Sequence, residues 1–326
     1  MIRLIGVELR RLTWRRITAI GVIGVFLITA FMLFATWRES RPLSEAEQRA
    51  AQTQYEMAHR DWVANAERNE ADCRANFDPS TSGGMSVDDV CKWSEPKREE
   101  FGKPQAVFRQ IAPNMLQGSA YLLLFAAFLV GASFVAAEFS TGAIGNWLTF
   151  EPRRLRVYGS KMAAAGLWFV PLGIAVTGVL TLGIYLITAR LGSTAGTDWS
   201  DIVGLIARVV TTTAIGAVIG GVVGLVLRHT AAALGLAMGY IVLVEGIFAS
   251  FLQNAQPWLL VRNFDAFVLH DTRYVLNKCV TQADGNYVCN QIEKTLTFEH
   301  GAWYLGILTL VALLGAGLIF QRRDVN

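Results

Sequence analysis

The sequence predicts an all-α polytopic membrane protein with six transmembrane helices and both termini in the cytoplasm. Composition, six long apolar stretches and the distribution of Lys and Arg each support this class. The 326 residues are 53% hydrophobic and 17% charged, and the mean hydropathy is +0.37. A soluble domain carries about 25% charged residues. The net charge of +3 is too small to indicate a nucleic-acid partner.

Six stretches reach the length of about 20 apolar residues that a helix needs to cross the hydrocarbon core. They are residues 17–36, 118–137, 162–188, 202–227, 231–252 and 302–320. The first is longer than the apolar region of a secretory signal (about 7–15 residues), and no clear small-x-small cleavage site follows it. We therefore predict that it is a retained anchor.

The positions of Lys and Arg predict the orientation. With the N-terminus inside, the short cytoplasmic pieces hold twelve basic residues, whereas the two shorter outside segments, 189–201 and 253–301, hold five. The cytoplasmic pieces are residues 1–16, 138–161, 228–230 and 321–326. The outside segment 37–117 is too long for the rule to apply. We predict a bacterial inner-membrane protein.

All four cysteines fall in the predicted outside segments, where disulfides persist. Cys73 and Cys91 share one segment and Cys279 and Cys289 share another, so we predict one disulfide within each. A zinc site is the alternative, but no Cys-x-x-Cys or His cluster has the required spacing.

Three segments outside the spans have patterns of their own. Residues 1–16 are basic and amphipathic, which predicts a helix lying at the inner membrane surface. Residues 44–73 have a helical periodicity, and Ser44 with Glu47 forms a capping-box pattern. We expect a helical extracellular cap there, with plain packing as its default role. In 253–301, two short apolar runs predict re-entrant or interfacial helices.

No catalytic motif is present. The chain has no Gly-x-x-x-x-Gly-Lys-Ser/Thr run and no His-Glu-x-x-His, and its four histidines are scattered. We therefore expect neither an enzyme nor a cofactor or metal bound by this chain.

Two ionisable residues lie within spans, where charge is costly and often functional. Arg208 and Glu245 sit at similar depths, so we predict that they pair, either as an interhelical clamp or as a substrate or proton site. Arg208 heads a ladder of small residues at four-residue spacing that predicts a close-packing face: Thr212, Gly216, Gly220 and Gly224. Candidate residues lining an apolar pathway are Phe125, Phe128, Thr212, Phe248 and Phe251.

The segment 138–161 has the most specific pattern. An acidic-aromatic pair, Glu138 and Phe139, is followed by a turn at Gly142, a short apolar helix, Pro152 and a basic cluster. This pattern predicts a short helix held at the membrane surface between two spans, where it can pass a partner's movement into both. The positive-inside rule explains the basic cluster but not the Glu-Phe-x-x-Gly opening.

This segment resembles the cytoplasmic coupling segment of type-2 ABC exporter permeases (the ABC-2 family), and the whole layout is similar to that of actinobacterial members. The resemblance implies a pair of six-helix permeases, identical or paralogous, in membrane lipid above two ATP-binding subunits that bind ATP and Mg. It implies partner contacts at Glu138, Phe139, Thr141, Gly142, Asn146, Trp147, Pro152, Arg153, Arg154, Arg156, Lys161, Glu8, Arg11 and Trp14.

The implied function is efflux of an apolar or amphipathic substrate, such as a drug, lipid, peptide or natural product. Two alternatives stay open: an accessory or receptor-like protein whose cap binds a partner, and an ion-coupled secondary transporter.

Overall fold

The chain is mainly helical. A computed structural model describes residues 2–78, 85–251, 253–281 and 287–322. Within these ranges, the side chains of 146, 148, 150, 250, 253, 277–281 and 287–290 are outside the description. In the described part, six helices are long and apolar enough to cross a membrane, and each coincides with a span predicted from the sequence.

The described elements follow one another in this order. The helices are α1 Ile2–Thr13, α2 Arg16–Ser40, α3 Glu45–Ala75, α4 Val87–Cys91, α5 Phe108–Ser140, α6 Ala143–Phe150, α7 Arg154–Leu191, α8 Trp199–Leu227, α9 Thr230–Gly239, α10 Ala249–Phe251, α11 Leu260–Leu269 and α12 Phe298–Arg322. A π-helix covers Tyr240–Phe248, 3₁₀ helices cover Arg98–Phe101 and Gln253–Trp258, and the strands are β1 Thr272–Thr281 and β2 Tyr287–Leu296.

The α5–α8 pair forms the centre of the bundle. Its close approach depends on the predicted glycine ladder of α8: Gly220 lies against the backbone of Phe128, and Gly224 against that of Ala132. A Cβ atom at either glycine would overlap a main-chain carbonyl of α5. The prediction of a close-packing face is therefore confirmed, and small residues allow the two backbones to meet.

The bundle has two ends that differ in content. At the α6 end, α1 and α6 gather with the adjoining ends of α5, α7 and α12 around a core that includes Leu12, Phe134 and Phe169. At the other end, called the α3 end, a second core includes Phe108 and Phe264. This end carries α11, the hairpin β1–β2 and the segment that begins with α3 and ends with α4, called the arm.

The arm begins with α3, which has no buried residue along its 31-residue length. The predicted capping box is present: the Ser44 hydroxyl accepts from the Glu47 amide, and the Glu47 carboxylate accepts from the Ser44 amide. The predicted Cys73–Cys91 disulfide ties the end of α3 to α4. Trp62 Nε1 adds a hydrogen bond to the Trp93 carbonyl oxygen at 2.8 Å.

The fifth span changes its helical form at Tyr240. The α-helical residues of α9 continue into the π-helix, and across α9 and the π-helix only Ala233 is buried. One π turn brings residues five positions apart together. Tyr240 accordingly donates its hydroxyl to Glu245 Oε1 at 2.9 Å.

The segment before α12 departs from the sequence expectation. Its short helices are present, but an antiparallel hairpin of two ten-residue strands follows them, whereas we predicted only helices. Alternating Val, Thr and Tyr around Asp284-Gly285 are a hairpin signal. The backbone register sets Cys279 opposite Cys289. Their side chains lie outside the described part, so that disulfide stays a prediction.

Candidate functional site

The α6 end is built by a sharp reversal of the chain between α5 and α7. Gly142 follows the end of α5 with a φ of 69°, a left-handed conformation that glycine adopts without steric cost. After α6, Glu151 is extended, as expected of a residue before proline, and α7 begins at Arg154. These two breaks hold α6 as a separate short helix between two long ones.

One face of α6 is inserted into the bundle. Ile144 belongs to the core at this end and is fully buried. The Trp147 ring lies 5.1 Å from the Arg11 guanidinium and 5.8 Å from Lys161 Nζ, measured to the ring centre. The Asn146 side chain lies outside the described part, so its predicted contact role stays a prediction. The described contacts anchor α6 on α1 and α7.

A buried ion cluster joins three helices behind α6. Lys161 Nζ on α7 lies 2.8 Å from Glu8 Oε1 on α1 and 2.5 Å from Glu138 Oε2 on α5. Arg11 Nη1 contacts the other Glu138 oxygen at 3.1 Å. Exposure of the Glu8, Glu138 and Lys161 side chains is 1%, 3% and 2%. The buried Lys161 and the partly exposed Arg11 therefore balance the two buried carboxylates.

Two aromatic rings, Phe134 and Trp147, lie beside the Lys161 ammonium group of this cluster. Lys161 Nζ lies 5.2 Å from the centre of the Phe134 ring, in addition to its contact with Trp147. Arg15 lies over the same Phe134 ring and donates to the Ser133 carbonyl oxygen at 2.9 Å. Burial makes breaking such a pair costly, because the remaining charge would lack a partner. The cluster therefore fixes α1, α5 and α7 in one relative register.

Helix α1 runs along the start of α7. Glu8 meets Lys161, and Thr13, one to two turns further on, accepts a hydrogen bond from Trp168 Nε1 at 2.9 Å. Paired residues thus advance together along both helices. The predicted helix at the inner membrane surface is present as α1 and packs on α7; its position at the membrane surface stays a prediction.

The structure separates the described partner-contact candidates into three groups: buried residues with their neighbours, exposed residues, and residues that hold α12. Glu8, Glu138 and Lys161 are inside the chain, and Arg11 and Trp147 pack against them. The exposed group lies on the surface of the segment 138–161 and beside the first span. It consists of Thr141, Gly142, Pro152, Arg153, Arg156 and Trp14.

Two predicted contacts hold α12 instead of facing outward. Arg154 Nη1 lies 3.3 Å from the Gln321 carbonyl oxygen, at the end of α12. Phe139 packs edge-on against Phe320 with the Arg228 guanidinium above it. Tyr158 also donates to the Leu313 carbonyl oxygen at 2.8 Å. The last span, α12, is therefore tied to the same group of helices. We call this contact region of α1, α5, α6, α7 and α12 the junction.

The predicted Arg208–Glu245 pair is not formed. Arg208 Nε donates to the Val268 carbonyl oxygen of α11 at 2.8 Å. Glu245 Oε1 accepts from Tyr240 and, at 3.1 Å, from the Val261 amide. Each side chain finds a nearer partner because α11 folds back against the bundle, a feature that the span pattern does not reveal.

The candidate pathway residues do not line one surface. Thr212 is buried and donates to carbonyl oxygens of its own helix, and the backbone of Phe128 contacts Gly220. Phe125, Phe248 and Phe251 are exposed. In a membrane-spanning bundle, this exposure places the three rings on faces available to lipid or to another chain.

The sequence analysis missed a polar cluster at the α3 end. Asp265 Oδ1 on α11 accepts hydrogen bonds from Tyr121 at 2.5 Å and Gln117 at 2.9 Å, both on α5. Asn263 nearby contacts His300 Nδ1 at 2.9 Å. The available signal was an acidic residue within the apolar run 264–269.

Six long apolar helices in a mainly helical fold place this chain in the class of multi-pass membrane proteins. A family model described as "Protein of unknown function (DUF2705)" matches residues 100–326, from just before α5 to the end of the chain. The chain belongs to that family. No curated protein and no solved structure matches it.

Proposed function

We propose that this chain is the permease subunit of a type-2 ABC exporter that moves an apolar or amphipathic substrate. A separate ATP-binding subunit would hydrolyse ATP, with two copies beneath a pair of permease chains. The observation that carries the proposal is the junction at the α6 end. There, an ion cluster joins α1, α5 and α7, and the Trp147 ring of the short helix α6 packs against two of its members, Arg11 and Lys161.

We assign the α6 end to the cytoplasm. Exposed basic residues Arg16, Arg153 and Arg156 gather at this end, as the positive-inside rule requires. The Cys73–Cys91 disulfide lies at the opposite end, consistent with an oxidising compartment outside.

Force applied to the exposed part of the junction has a direct route into the bundle. A partner that presses on Arg153 and Arg156 pushes the first turn of α7. The Lys161 contacts pass that movement to α1 and α5. Arg154 and Tyr158 pass it to α12. Three spans, α5, α7 and α12, therefore respond together with α1, as a switch between inward- and outward-facing states requires.

This route assigns separate roles to the predicted residues. The proposed partner contacts in the segment are its exposed predicted residues: Thr141, Gly142, Pro152, Arg153 and Arg156. Glu8, Arg11, Glu138 and Lys161 are positioning residues that transmit the load from inside the chain.

The fifth span supports the pairing of two permease chains. Its exposed side chains are apolar over the whole length of α9 and the π-helix, and they include Leu236, Val242 and Phe248. Such a face is available both to a second copy and to lipid.

A receptor or accessory role is the second candidate, and the arm favours it. Because α3 has no buried residue, the part of its surface that does not contact α4 and the following loop is open to a partner on the α3 side. That role requires no ATPase.

The deciding experiment is purification of the tagged, detergent-solubilised protein from its native host, followed by an ATPase assay. The permease proposal predicts a co-purifying ATP-binding subunit and its loss with Arg153→Glu/Arg156→Glu. The matched control is Arg60→Glu/Arg68→Glu on the exposed arm, which changes the net charge by the same amount and should keep the partner. Elution without an ATPase would favour the accessory role.

A further inference from the structure

The outward face of α1 carries a basic and aromatic stripe. Arg3, Val7 and Arg10 follow at spacings of four and three, which places them on one side of α1. Trp14 comes directly after the end of α1, and its amide donates to the Arg10 carbonyl oxygen at 3.3 Å. All four side chains are exposed, and Trp14 is 82% exposed. Gly6 beside them leaves open space, since a Cβ there would meet no atom within 4 Å.

The charged residues of this stripe are all cationic, because the only acidic residue of α1 points the other way. Glu8 is buried against Lys161 and Arg11. Its charge is therefore neutralised inside the protein. Among the described residues, no ion pair includes Arg3, Arg10 or Arg16.

The Trp14 end of the stripe lies next to the start of the first span, α2. Arg16 opens α2 and is exposed, and from Ala19 to Trp37 the exposed positions of α2 are apolar, among them Ile20, Ile23 and Leu27. That exposed surface suits lipid acyl chains. Trp14, Arg16 and Arg10 then fall at the adjoining polar boundary, where tryptophan side chains concentrate in membrane proteins.

Arginine and phosphate are complementary in charge and geometry. A guanidinium presents a planar fork of donors that binds phosphate oxygens in pairs. A lipid places a phosphate at this depth and its acyl chains against the apolar residues of α2. A free anion would satisfy the arginines but leave Trp14 and the α2 face without a ligand.

We infer that Arg10, Trp14 and Arg16 form a binding site for the headgroup of an anionic phospholipid in the leaflet at the α6 end. The site rests on α1 and α2 alone. It does not depend on the proposed export function, and either can fail without the other.

The test is native mass spectrometry of the purified full chain in detergent, titrated with phosphatidylglycerol or with phosphatidylcholine of the same acyl chains. Wild type should bind phosphatidylglycerol more tightly. A basic residue near an anionic lipid surface contributes about fivefold. Arg10→Gln/Arg16→Gln should therefore reduce the preference by about 25-fold.

Two control variants separate the site from net charge and from misfolding. Arg60→Gln/Arg68→Gln removes the same charge from the arm and should leave the preference intact. Arg10→Lys/Arg16→Lys keeps the charge and should retain most of it. Loss of the preference in the arm variant would overturn the inference.

Competition identifies the source of the phosphate. Inorganic phosphate at equal concentration should not displace phosphatidylglycerol; displacement would overturn the lipid assignment. Equal affinity of the wild type for the two lipids would also overturn it. So would a double glutamine variant that loses a co-purifying protein while its lipid preference is unchanged.

Discussion

Lys161 Nζ lies 2.8 Å from Glu8 Oε1, although 153 positions separate the two residues along the chain. This contact joins the first helix to the third span in the interior. It shares its lysine with Glu138 of the second span. One side chain thus holds three helices at the end of the bundle that carries α6.

Replacing Lys161 with Met should strongly destabilise the protein, because Glu8 and Glu138 would lose their shared cation. Breaking a buried pair from one side costs about 3–5 kcal/mol. Thermal unfolding of the detergent-solubilised protein measures the loss, with Lys97→Met on the exposed loop as the control. Equal melting temperatures for the two variants would show that the cluster contributes no stability.

Adding both carboxylate replacements should restore part of that loss. In Glu8→Gln/Glu138→Gln/Lys161→Met no buried formal charge remains at these three positions. The triple variant should therefore melt above Lys161→Met alone.

Substituting Gly220 with Ala should separate α8 from α5, since the added methyl group would overlap the Phe128 carbonyl. Overpacking of this kind costs about 1–3 kcal/mol. Gly235→Ala is the matched control, because a Cβ at Gly235 meets no atom within 4 Å. Unfolding measurements on both variants test the close-packing face, and a Gly220 variant as stable as the control would contradict it.

Tyr121→Phe should loosen α11 from α5. The change removes one of the two donors to the Asp265 carboxylate, and a hydrogen bond to a charged group contributes about 1.5–3 kcal/mol. Hydrogen exchange of α11 should become faster. Tyr185→Phe is the control, because the described contacts of Tyr185 are ring contacts with Phe108 and Trp199. Unchanged exchange in α11 would argue against this anchoring role.

Cys73→Ser/Cys91→Ser should destabilise the arm more than the bundle. The disulfide closes a loop with a sequence separation of 18, for which the chain-entropy model gives about 3 kcal/mol. Limited proteolysis should then cleave the variant near α4 at a protease concentration that leaves the wild type intact. Faster cleavage within the spans instead would show that the arm supports the whole bundle.

Acid should fray the start of α3. Hydrogen bonds from Ser44 lower the pKa of Glu47 below its ordinary value. A group with a lowered folded pKa stabilises the fold above its unfolded pKa, and this contribution disappears as pH falls through the folded pKa. Amide protection factors in the first turn of α3 should therefore fall in acid. Ser44→Ala removes the hydroxyl donor to Glu47 but keeps the backbone donor, so it should reduce that pH dependence. An equal dependence in the variant would rule out the Ser44 hydroxyl as its cause.

Much of the architecture could be predicted from local patterns. Length and apolarity predicted the six spans, and the spacing of Gly216, Gly220 and Gly224 predicted the packed face of α8. Ser44 and Glu47 predicted the cap of α3, and Cys73 and Cys91 predicted their disulfide. Each signal lies within one element or one short loop, so local chemistry is sufficient to reveal it.

Tertiary structure alone decided which charges meet. Glu8, Glu138 and Lys161 each have an ordinary role when considered alone, and only the packing of α1 on α7 near the end of α5 brings them together. Arg208 and Glu245 were expected to pair from their depth, yet α11 supplies nearer partners to both. Depth along a helix follows from sequence position, whereas the direction and neighbours of a side chain depend on how helices distant in sequence pack.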